Sequence, residues 1–339
     1  MSVLPLVYRS TDPGAPQLTG QVGALINVLR ATLVTGYGTT PNVKPGAGWT
    51  EAFTGTNKAV FRNNPIAGTG GRLRVDDGAT VAGSNARYAL VRGYESLTDV
   101  DTGIGPAPTA AQLADGLIVP KSATLDSTSR GWVMVACERF LYLFVNLNTT
   151  AVAGWVDIPY FPFFAGDLVS RKPGDAFHFM VAGLSLNSYV GTLSQDTAMI
   201  FQAVNSWGAG VSTGTGGFLL RGHQQVSGAV YTRCAIGSDG LGGRVIGSTE
   251  PYPDPVSGGL IYERLMVLES QTSGVIRGYM PNAYIAMGRL PFVDSAIQTD
   301  IQGLPAGTQI LPKSFAVAQN NIATSLYSSQ LLIDLSNAW

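Results

Sequence analysis

Residues 130–148, RGWVMVACERFLYLFVNLN, decide the reading of this chain of 339 residues. Two apolar runs, 132–136 and 140–145, flank the charged pair Glu138 and Arg139. Trp, Val, Phe, Tyr and Leu suit a pleated, buried surface. A short continuous apolar run bounded by turn residues fits a strand covered on both faces. A buried helix is the rival reading, and the β-branched and aromatic content weighs against it. The stretch is therefore taken as the centre of a β-rich body.

Outward from that hairpin, short strand patterns alternate with Gly, Pro, Asn and Asp turns. On the N-terminal side they fall at 49–53, 58–62, 72–75 and 88–94, with turns at 55–57, 68–71 and 76–78. Residues 99–116 read as a loop with one helical turn near 110–114. On the C-terminal side, strands are expected at 176–181, 198–204, 218–220, 230–236, 260–268, 275–287 (interrupted by Pro281), 315–319 and 330–335. Residues 208–217, GAGVSTGTGG, read as an irregular loop. Many short strands with Gly/Pro turns indicate a mainly β chain, an antiparallel β-sandwich or barrel-type body.

The first 18 residues hold three prolines and a DPG turn, and read as an extended arm. Thr19 is expected to cap the one clear helix, whose apolar stripe is Val22, Leu25, Ile26, Leu29 and Leu33, ended by Gly36 and Gly38. Leu4, Leu6 and Tyr8 of the arm, with Leu25 and Leu29 of the helix, are the candidate contacts to neighbouring subunits. A frayed terminus is the alternative for the arm. Residues 1–45 thus read as an assembly segment and 46–339 as the body, with a break between two lobes near 99–130.

Charged residues make up 13% of the chain and hydrophobic ones 45%. The charged share is low against roughly 25% in an ordinary soluble domain. Such a chain suits surfaces largely occupied by neighbours, homo-oligomeric copies among them. A large monomer with a neutral, hydroxyl-rich surface is the other reading. The formal net charge of −1 and the lack of a basic block argue against nucleic-acid binding. No apolar run approaches the roughly 18 residues of a membrane span. The N-terminus lacks a signal-peptide pattern, so synthesis in the cytoplasm is expected.

No constellation announces a reaction, and no catalytic, cofactor or metal residue is assigned. His178 and His223 stand alone and read as structural. The glycine-rich 208–217 lacks the Gly-Lys-Ser/Thr ending of a phosphate loop. The carboxylates Asp76, Asp77, Glu250 and Asp254 sit in ordinary turn contexts. Cys137 and Cys234 have no metal or redox spacing and read as buried thiols, with a disulfide between them left open. The aromatic stretch 155–164, WVDIPYFPFF, is broken by two prolines, which excludes a central strand. It reads as a lid on the core or as a surface-recognition loop, with Trp155, Tyr160, Phe161 and Phe163 able to stack on a host surface glycan.

The segments QLTGQVGALINVLRATLVTGYG, GWTEAFTGTNKAVFRNN, RLRVDDG, VACERFLYLFVN and FFAGDLVSRKPGDAFHFMVAG, with the closing GRLP…LPKSF…LLIDLSNAW, keep a succession that resembles uncharacterised virion proteins of tailed bacteriophages. The resemblance runs from Gln17 to Trp339 and departs at 155–164, which is longer than that pattern. It implies a structural virion component, tail-, collar- or baseplate-associated, with other virion proteins as partners. Capsid decoration and a receptor-binding tail module are the alternatives. It carries no catalytic motif.

Overall fold

The computed structural model describes residues 4–78, 87–122, 124–146, 161–185, 215–224, 232–237, 252–269, 275–286, 290–318 and 326–337. The chain is mainly β. In order it forms β1 (Leu6–Arg9), the helix α1 (Ala24–Arg30) continued by a π-type turn (Ala31–Thr35), β2 (Thr50–Gly55), β3 (Lys58–Arg62), β4 (Arg72–Asp76), β5 (Arg87–Tyr94), and a small hairpin of β6 (Ser96–Leu97) and β7 (Gly103–Ile104). Then follow β8 (Leu117–Ser122), β9 (Trp132–Ala136), β10 (Phe140–Val145), β11 (Phe161–Asp167), β12 (Val169–Ser170), β13 (Phe179–Ser185) and β14 (Thr215–Leu219). The chain continues through β15 (Thr232–Gly237), β16 (Tyr262–Glu269), β17 (Val275–Ala286), β18 (Ile310–Ala318) and β19 (Leu326–Asp334).

All strands but β6 and β7 belong to one antiparallel network that closes on itself as a barrel. β11 and β12 act as one strand bent at Leu168. β11 pairs with β13, and β12 pairs with β17 at Val169 and Ser170. Between them β13, β14, β15, β16 and β17 pair in succession, which completes the ring. Three extensions leave it. β10, β9 and β1 follow β11. β8, β5, β4, β3 and β2 follow the end of β13. β19 and β18 follow β17.

The hairpin that anchored the sequence reading forms at the expected bounds, and every residue of β9 and β10 is buried. At its far side Gly166 of β11 faces Phe140 with φ +146°, and a Cβ there would run into the Phe140 backbone. Only glycine meets both conditions cheaply. One hydrophobic cluster runs from Val7 to Leu335 and includes the helix and the hairpin. A smaller one, with Leu260, Leu290 and Ile310, sits under residues 290–310.

Several expectations are corrected. The N-terminal segment is no free arm: β1 pairs with β9 in register Leu6 to Ala136, and Tyr8 is fully buried, its hydroxyl donating to the Pro45 carbonyl at 2.8 Å. Leu25 and Leu29 are buried in the chain's own core, so Tyr8, Leu25 and Leu29 have no surface to offer a neighbour; Leu6 is half-buried and Leu4 exposed. Residues 1–45 are therefore part of the body. The stretch 99–130 contains β8, which pairs with both β5 and β13 and so joins the parts it was expected to divide. Near residues 110–114 a single helical turn does form, the Leu113 N–H donating to the Thr109 carbonyl at 3.1 Å, and it is not continued into a helix.

Thr19 does not cap the helix either. Its hydroxyl accepts from the Gln21 N–H, Val22 is exposed, and the helix starts at Ala24 behind Gly23. The cap comes from Asp77 of the DDG turn, whose carboxylate accepts from the Leu25 N–H at 2.8 Å and pairs with the buried Lys121. Asp77 is thus no ordinary turn residue. Burial pushes its carboxyl up despite Lys121. Lys121 also donates to the Gln21 carbonyl at 2.7 Å, so one ion pair fixes the entry to the helix from two sides.

Prolines do occur inside strands. Pro162 of β11 pairs only toward β10, since pairing with β13 begins at Phe164. Pro120 lies beyond the short β8–β13 contact, and Pro281 sits where β16 skips a residue between Arg264 and Met266. Each ring takes a place where a ladder N–H is not required. The glycine-rich stretch is partly regular too: residues 215–217 belong to β14, and 208–214 lie outside the described residues, as does the strand expected at 198–204.

Replacing Asp77 by Ala removes both the cap and the counter-charge of Lys121, and is expected to cost about 3–5 kcal/mol. The double change Asp77→Leu with Lys121→Met should recover most of that loss in urea unfolding. A double variant no more stable than D77A shows that the pair's charge is not what the site needs.

Candidate functional site

The KPGD turn at 172–175 brings together several polar side chains between β12 and β13. It follows β12 and leads back into β13, so its side chains stand at the mouth of the bend at Leu168. An open cleft of about 490 Å³ lies here, lined by Arg139, Val169, Lys172, Asp175 and His178 among others.

Under the cleft lies a web of buried charge. Arg277 of β17 is 1% exposed, and its Nε and Nη2 each donate to one oxygen of Asp175 at 2.7 Å. Its Nη1 donates to Glu269 and, at 3.1 Å, to the Arg221 carbonyl. Glu269 also accepts from the His223 backbone N–H at 2.9 Å and lies 2.7 Å from His223 Nδ1. Arg221 in turn grips both oxygens of Glu95, at 2.8 and 2.6 Å, and lies 3.5 Å over the centre of the Phe177 ring. Paired, hydrogen-bonded charge of this kind survives burial because each group is satisfied by a neighbour.

Asp175 belongs to both web and cleft. Burial raises its carboxyl, but the Ser170 hydroxyl, donating at 2.5 Å, and the Arg277 guanidinium outweigh that and leave it below the ordinary carboxylate range. The Asp175 carbonyl lies 2.7 Å from His178 Nδ1 and orients that ring. Behind His178, Asp167 is fully buried; it accepts from the Thr69 N–H at 2.9 Å and the Thr69 hydroxyl at 2.5 Å. Burial pushes the Asp167 carboxyl up, against the pull of His178 and Thr69.

The sequence placed none of its site residues here. Phe163 of β11 is 2% exposed and lies against Gly183, so it is a core residue and not part of a recognition loop. The backbone of Phe161 is in the same strand; Trp155 and Tyr160 lie outside the described residues. Cys137 is a free, buried thiol. In the sequence Asp175 closes a KPGD turn pattern and Arg277 is a lone charge within a strand pattern. They are 102 positions apart, and no local pattern signals such a pair.

Among the described residues no group of three His, Cys, Asp or Glu side chains converges to hold a metal, and no helix is long and apolar enough to cross a membrane. Comparison with protein-family models and with curated proteins finds no match to this chain.

A depressed carboxyl contributes stability that is complete above the unfolded value, near 3.9 for Asp, and is lost as pH falls through the folded value. Asp175→Asn should therefore be less stable than the parent at pH 7, with the gap narrowing as pH drops below about 4. Thermal melts across that range check it, and a gap independent of pH contradicts the assignment.

Proposed function

We propose that this protein is a structural component of a tailed bacteriophage virion, working by fit to neighbouring subunits and not by turnover. The observation that carries the reading is where the charge goes. Only 13% of residues are charged, and ten of those are buried among the described residues, mostly in ion pairs and turn or cap hydrogen bonds. Those ten are withdrawn from a surface that has few charges to begin with. Apolar side chains stand on it, with Ile66 95%, Val256 93% and Val293 69% exposed. Poorly charged surface of this kind is costly to keep wet in a free monomer and is suited to burial against other subunits. The succession of segments that resembles tailed-phage virion proteins supports the same reading.

The tail, collar or baseplate is the preferred place, with other virion proteins and copies of this chain as partners. Exposed Leu4 remains available to such contacts, whereas Tyr8, Leu25 and Leu29 do not. Quantitative mass spectrometry of purified particles is expected to find the chain at a fixed copy number, and antibody labelling in the electron microscope to mark the tail. Labelling of the head lattice at hundreds of copies would move it to the capsid surface. Absence from purified particles ends the proposal.

A further inference from the structure

The cleft at the KPGD turn has a chemistry that an assembly role does not require. Its polar lining is predominantly cationic or hydrogen-donating: Arg139, Lys172 and His178. The one carboxylate in the lining, Asp175, is fully hydrogen-bonded, sharing the charge of Arg277 with Glu269. Both of its oxygens are taken by Arg277, one also by the Ser170 hydroxyl and the other by the Phe177 N–H at 3.3 Å. Asp167, the carboxylate behind His178, is likewise engaged by Thr69. The carboxylates near the cleft are thus hydrogen-bonded within the protein, while Lys172 stands in its lining.

Two further details sharpen this. The His178 ring has its Nδ1 held at the Asp175 carbonyl, which leaves Nε2 as the ring's other polar atom. The Lys172 backbone is pinned by its N–H to the Ser170 hydroxyl at 3.1 Å, which fixes where the half-buried side chain starts. The lining also holds Val169 and Ala176, apolar surface that a bare ion does not use. A volume near 490 Å³ lies in the range of small-ligand clefts, roughly 300–1,000 Å³.

We infer that this cleft binds a sugar unit carrying an oxyanion, a carboxylate or a phosphate. Lys172, with Arg139 and His178, faces the oxyanion, and the sugar's C–H face lies on Val169 and Ala176. Charge-assisted hydrogen bonds supply the larger part of the affinity, as they do wherever Arg and Lys meet carboxylate or phosphate. This inference does not depend on the location of the protein in a particle.

Isothermal titration of the full-length protein with glucuronate, glucose 6-phosphate and neutral glucose tests it and separates the two oxyanions. At least one of the anionic sugars is expected to bind saturably, and glucose to bind at least about tenfold more weakly, a factor of ten being about 1.4 kcal/mol. Lys172→Gln should weaken the anionic sugar by about tenfold while leaving the melting temperature unchanged, and Lys172→Arg should retain binding. Failure of both anionic sugars to bind, equal binding of glucose, or full affinity in K172Q each overturns the inference.

Discussion

The turn of the β9–β10 hairpin is covered by other segments, with Cys137 buried and Glu138 and Arg139 half-buried, and much of the N-terminal half of the structure follows from that. A turn normally gives its carbonyls to water, and a buried one must find protein donors instead. Here each is met from a different segment. The Trp49 indole donates to the Cys137 carbonyl at 2.8 Å, and the Asn64 N–H to that of Glu138 at 2.9 Å. The Arg139 carbonyl takes both the Asn63 side-chain amide and the Asp167 N–H, each at 3.1 Å. The start of β2, the end of β3 and the end of β11 are therefore fixed on one spot, and Asp167 carries that order on to Thr69 and to the wall of the cleft.

The scarce charges act in the same way, as joints between distant parts of the chain. Asp77 and Lys121 seat the helix; Arg277 ties β17 to the KPGD turn and to Glu269. Lys313 of β18 is fully buried, bonded to Asp294 at 2.8 Å and to the Ser295 hydroxyl at 2.6 Å, while Arg9 of β1 donates to the Ser295 carbonyl at 2.9 Å. Burial pulls the Lys313 ammonium down to about 8 against the opposing pull of Asp294. Replacing such pairs by apolar residues is often neutral for stability, so their value lies more in fixing a unique arrangement than in net free energy.

What the sequence made legible was what is written locally. Lys58–Arg62, Trp132–Ala136 and Phe140–Val145 stand at the bounds their apolar runs implied, because covered strands leave a continuous hydrophobic signature. β8 was missed because Pro120, Lys121 and Ser122 look like a loop, and β1 because proline precedes it. The true helix cap lies 52 residues from Leu25, and Thr19 was the plausible local substitute. The cleft was illegible for the same reason. Its charged groups are set by Arg277, Glu269 and Arg221, which meet only once the ring has closed.

The pairing of β1 has a consequence for how the molecule is made. Leu6 has no strand partner until Ala136 has left the ribosome, and Arg9 finds Ser295 only 286 residues further along the chain. A fold knitted from such distant contacts has high contact order, and its nucleus must close long loops before it gains anything from them. Slow folding is the physical expectation for such a chain, with apolar segments unprotected until the long-range contacts close.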